Sequence, residues 1–61
     1  MPLVQVDLKS GQSIDQKRQL VKRITEVLVE VCASNPDRVH VIVNEVPAEN
    51  WGHNGKLLSD K

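Results

Sequence analysis

The sequence predicts an α+β protomer: a βαβ unit with parallel strands, followed by a C-terminal β-hairpin. Two observations carry this. Two runs of alternating apolar residues flank one long amphipathic run, and an Asn-Gly pair punctuates the tail. A strand, a long helix and a second strand form a crossover unit, so the strands are expected to be parallel with a right-handed connection. Residues 1–61 make one domain, with no internal repeat and no low-complexity stretch.

The first strand is read at Leu3 to Leu8. Val4, Val6 and Leu8 share one face, and Leu3, Gln5 and Asp7 share the other. Lys9-Ser10-Gly11-Gln12 follows as a polar turn. Ser13-Ile14-Asp15-Gln16 then has the form of a capping box, in which Ser13 and Gln16 satisfy each other's orphan N–H groups. Asp15 adds negative charge where the helix dipole favours it. Leu20, Ile24, Val27 and Val31, with Val21, Leu28 and Cys32 alongside, form one broad helical stripe. Lys17, Lys22, Arg23, Glu26 and Glu30 fall mostly outside it. Asn35-Pro36 is expected to end the helix, because the residue before proline is pushed out of the α region. The second strand is read at Val39 to Val46, with Val39, Val41 and Val43 on one face and His40, Ile42 and Asn44 on the other. In the tail, Asn54-Gly55 suits a tight hairpin turn.

A chain of 61 residues buries only about 60% of the surface that its unfolded form exposes. The usual reinforcements are missing. Cys32 has no partner for a disulfide, and two histidines without cysteine partners do not make a structural zinc site. Two strands are also too few for an independently stable sheet. Size and architecture both predict a homo-oligomer, with the Ile42 face covered by another copy and the hairpin lying across a neighbour. Eight basic and eight acidic side chains balance, which argues against a nucleic-acid partner. No apolar run approaches a membrane span of about 20 residues, and no signal peptide is evident. A lone cysteine fits a cytoplasmic protein.

Most catalytic constellations are absent. The GHNG stretch lacks the spacing and preceding strand of a phosphate-binding loop, and His40 and His53 have no thiol or carboxylate spacing for a metal. Pro2 stands apart. Removal of Met1 would free a secondary amine, starting near or somewhat above the α-amino pKa of about 7.7–8.0. Burial in an apolar site disfavours the ammonium form and leaves a base or nucleophile near neutral pH. On local features alone, Pro2 reads better as an ordinary proline at a strand edge.

The rest of the chain shifts that balance. Met1-Pro2 before a strand, Gly11, Ser13, Gln16-Lys17, Val39 to Glu45, and Asn50-Trp51-Gly52 with Gly55 occur in order along nearly the whole length. Together they resemble the 4-oxalocrotonate tautomerase family. The resemblance implies a tautomerase-like fold assembled as a hexamer, a trimer of dimers. It implies catalysis by the amino-terminal proline, here Pro2, which moves a proton within a small enol or keto acid with no metal or organic cofactor. Trp51 falls where the family places an aromatic pocket wall; as an alternative it anchors an interface between hairpins.

Two positions depart from that pattern. Family members acting on dicarboxylates carry arginines where this chain has Gln12 and His40. An arginine grips a carboxylate with two hydrogen bonds and polarises an adjacent carbonyl. Gln12 is neutral, and His40 is cationic only as imidazolium. The expected substrate is therefore a monocarboxylate, with His40 hydrogen-bonded to a keto oxygen or else filling a subunit contact. Arg38 is two residues before His40, on the same face if the strand extends that far, and is the candidate replacement cation; otherwise it is a solvated arginine at the strand start. Lys9 is a weaker candidate. All of this requires removal of Met1, since an acylated Pro2 nitrogen is no base. The competing reading is a non-catalytic homo-oligomeric scaffold or small-molecule-binding homologue.

Overall fold

The computed structural model describes residues 1–60. Strand β1 spans Leu3–Lys9, helix α1 Ile14–Cys32 and strand β2 His40–Val46. A two-residue pair, β3 at Gly52–His53 and β4 at Lys56–Leu57, closes the chain. Short 3-10 turns at Pro36–Arg38 and Ala48–Asn50 precede β2 and the hairpin. The expected βαβ unit is present, with β1 and β2 parallel from Leu3 opposite His40 to Lys9 opposite Val46. Among the described residues, no helix is long and apolar enough to cross a membrane.

The predicted capping box starts α1. The Gln16 amide donates to Ser13 Oγ at 3.1 Å, and the Ser13 amide donates to Gln16 Oε1 at 2.8 Å. Ser13→Ala removes the Oγ that accepts from the Gln16 amide, leaving the backbone half of the box, and is expected to cost about 1 kcal/mol. The check is the shift in urea midpoint at constant slope.

The helix ends earlier than Asn35-Pro36. Ala33 takes the left-handed conformation (φ 54°, ψ 32°), and the Ser34 amide donates back to the Leu28 carbonyl at 3.3 Å. That closure satisfies the last carbonyls three residues before the proline acts. Asn35 and Pro36 instead open the 3-10 turn, with Asn35 Oδ1 accepting from the Asp37 amide at 3.0 Å. Val39 therefore stays outside β2, which begins at His40.

Half-buried helix positions run Lys17, Leu20, Val21, Ile24, Thr25 and Leu28, alternating steps of three and one. They meet the alternate strand residues Val4, Val6, Leu8, Val41, Val43 and Glu45, which are half-buried in turn. The stripe is narrower than expected. Val27 is 54% exposed and Val31 76%, and Cys32 is exposed. Two strands about 4.8 Å apart cannot cover a helix about 10 Å across, so its flanking apolar positions stay open.

No described residue is fully buried. The far sheet face carries Leu3, 57% exposed, and Ile42, 42% exposed, among Gln5, Asp7, His40 and Asn44. The radius of gyration is 14.6 Å over extents of 44 × 23 × 14 Å. A compact domain of this length would measure about 10.5 Å. In the hairpin, Asn54 (φ 52°) and Gly55 (φ 79°) form the expected turn with two positive φ angles.

Candidate active site

Pro2 precedes β1 and is half-buried. Its carbonyl accepts the His40 amide at 3.0 Å, extending the ladder one step beyond the strands. Parallel pairing starts both strands at the same end, so Pro2 and His40 are neighbours through backbone geometry. The strand alternation puts His40 on the open face, opposite Leu3 and next in its row to Ile42.

Arg38 is at this end too, but not in the strand. It closes the 3-10 turn, its amide donating to the Asn35 carbonyl at 2.9 Å. Alternation from His40 does not reach it, which corrects the expectation that both side chains share a face by strand period. Arg38 is exposed and within two residues of His40, so it keeps its proximity without that alignment.

Gln12 and Trp51 lie elsewhere. Gln12 follows the other end of β1, about 20 Å along the strand from Pro2. There it lines a cavity of about 230 Å³ with Leu8, Gln16, Lys17 and Leu20. Trp51 comes after β2 and the second 3-10 turn; its carbonyl accepts the Leu58 amide at 2.8 Å, joining the hairpin base. One copy thus brings together Pro2, His40 and Arg38, and leaves Gln12 and Trp51 at the opposite end.

The charged pair at that opposite end is new. Lys17, expected mostly outside the helical stripe, sits within it, and its Nζ donates to Glu45 Oε1. The Lys17 hydrogen bond holds the Glu45 carboxyl below its ordinary value of 4.5, against the opposing effect of desolvation; the Gly11 amide and the Lys17 charge add to the lowering. The signal was present in the sequence. Glu45 continues the helix-facing row of Val41 and Val43, and Lys17 lies three residues before Leu20, where a half-buried charge needs a partner.

Because this pKa is lowered on folding, the stabilisation is complete above about pH 4.5 and is lost as pH falls through the folded value. Acid melting curves should therefore drop faster for wild type than for Glu45→Gln below that pH. Parallel curves would remove the pair from the stability account.

Comparison with known proteins agrees with this architecture. The family model described as tautomerase enzyme matches residues 2–61. A probable tautomerase of Halalkalibacterium halodurans is 41% identical over 61 residues, covering both chains completely. Among solved structures, a 4-oxalocrotonate tautomerase homologue superimposes with a TM-score of 0.93 at 36% identity, over 100% of this chain and 97% of the other. A structure from work on the 4-oxalocrotonate tautomerase isozymes of Methylibium petroleiphilum gives 0.91 at 33% identity, over 95% and 91%. On these matches in sequence and in fold, the chain belongs to the tautomerase family.

Proposed function

We propose that the protein is a cofactor-independent keto–enol tautomerase whose general base is the Pro2 amine freed by removal of Met1. The supporting observation is the half-buried Pro2 held at the strand start by the His40 amide, in a chain of this family. A rigid ring at a fixed backbone position gives an amine with little freedom to lose on reaching its substrate. The neutral amine is the form that accepts a proton, and apolar surroundings in the assembled site would favour it. The amine takes a proton from the enol hydroxyl, or from a carbon beside the keto group. It returns that proton to the position that completes the tautomer, so the enzyme ends unchanged.

Charge developing on the substrate oxygen is met by His40 and Arg38, which share the end of the sheet where Pro2 lies. The substrate is a small 2-keto or 2-hydroxy unsaturated acid with one carboxylate, consistent with neutral Gln12. Gln12 and Trp51 reach the same substrate from neighbouring copies in a homohexamer, a trimer of dimers. The supporting facts are a protomer in which no described residue is buried and the roughly 20 Å between the two strand ends. The protein works in the cytoplasm with a small-molecule substrate, without nucleic acid, membrane or cofactor.

Ketonisation of phenylenolpyruvate, followed by ultraviolet absorbance, tests this proposal alongside intact-mass measurement. Specific activity should rise in proportion to the fraction of chains lacking Met1. Activity independent of that fraction would exclude the amine as base. A non-catalytic homo-oligomeric scaffold is the second reading, favoured by Gln12 and His40 at the positions where dicarboxylate enzymes carry arginine. Met1 retained in protein from the natural host would support it.

A further inference from the structure

The turn carrying Gln12 has little of its own to hold it. Residues 11 to 13 lie outside regular structure. Gly11 adopts φ 128°, a conformation closed to residues with a side chain, although a Cβ there would meet nothing within 4 Å. Glycine is thus required by backbone angle and not by space, and no packed neighbour confines the turn at that point. The flanks are fixed: the Ser10 amide donates to the Val46 carbonyl at 2.9 Å, and the capping box anchors Ser13. Between them stands the Lys17–Glu45 pair. Glu45 is opposite Leu8 near the end of β2, and Lys17 lines the same cavity as Gln12.

We propose that Glu45 is a positioning residue, which with Lys17 latches the end of β2 to the start of α1 and holds the intervening turn so that Gln12 is presented to the substrate. The inference rests on the proposed tautomerase reading for its substrate, though not for the latch itself. The Lys17–Glu45 pair ties the end of β2, where Val46 holds Ser10, to the first turn of α1, where the capping box holds Ser13, and so spans the turn between them. Neither latch residue touches the reacting atoms. Their effect passes through Gln12, and so falls on substrate binding more than on proton transfer.

The test uses Met1-processed protein with phenylenolpyruvate as probe. Glu45→Ala and Gln12→Ala should each raise KM by roughly 10–100-fold with a smaller change in kcat, the size expected for losing one charge-assisted hydrogen bond. The double variant should be no worse than either single one, because both remove the same contact. Glu45→Gln keeps an acceptor oxygen and should recover most of the loss. Independently, amide hydrogen exchange at Gly11 and Gln12 should quicken about tenfold or more in Glu45→Ala, with exchange at Ile24 and Leu28 unchanged. Additive KM effects, or unchanged exchange at Gly11, would overturn the latch; so would exchange quickened equally along α1, which would make Glu45 merely structural. If wild type shows no Pro2-dependent turnover, the functional reading fails and the exchange measurement still decides the latch.

Discussion

Replacing Pro2 with alanine is expected to lower kcat/KM for phenylenolpyruvate by roughly 10²–10⁴-fold, the usual contribution of a positioned general base. Processing leaves alanine with a primary amine, so the loss is of quality and not of the amine itself. The ring fixes φ and with it the direction of the lone pair, whereas a free alanine terminus rotates. The fold should survive, because the contact tying residue 2 to the sheet is its backbone carbonyl, which alanine also provides. Unchanged circular dichroism with collapsed turnover is thus the expected combination. A Pro2→Ala protein, fully processed and as fast as wild type, would end the amine mechanism.

Ile42→Asp should do the most damage to the assembly. Ile42 is on the sheet face away from α1, opposite Gln5 and still 42% exposed in one copy. With no described residue fully buried, the proposed assembly would supply much of the stability by covering such faces with another copy. Losing a buried isoleucine costs about 1.5–3 kcal/mol per copy. Placing a carboxylate in a dry contact adds several more. The variant should sediment as a monomer and melt roughly 10–20 °C lower or not fold at all, whereas the wild-type melting temperature should rise with protein concentration. A monomeric variant with the wild-type melting temperature would show that one copy is self-sufficient.

Elements governed by neighbours along the chain were legible in the sequence. The capping box formed as read, since Ser13 and Gln16 need only one helical turn to meet. Asn54-Gly55 turned the hairpin because its positive φ angles are a property of those two residues. The helix end was not so simple, because Ala33 carries no signature of a left-handed cap. The closure came from the Ser34 amide reaching Leu28, a bond that preceded any effect of Pro36. The same early stop gave Pro36–Arg38 its own turn and took Arg38 out of the strand whose alternation had been extended to it.

The sequence by itself determined the βαβ order, the parallel pairing and the family, because periodicity and short motifs depend on local chemistry. Tertiary structure decided what those elements bring together. It covered Leu20 and Ile24 while leaving Val27 and Val31 open, since two strands are too narrow for the whole apolar stripe. It drew Lys17 inward to Glu45, from sequence positions 28 residues apart. Parallel pairing also placed Pro2 beside His40 and left Gln12 and Trp51 at the other end. Both strands begin at the same edge, and the length of a strand then separates the first group from the second.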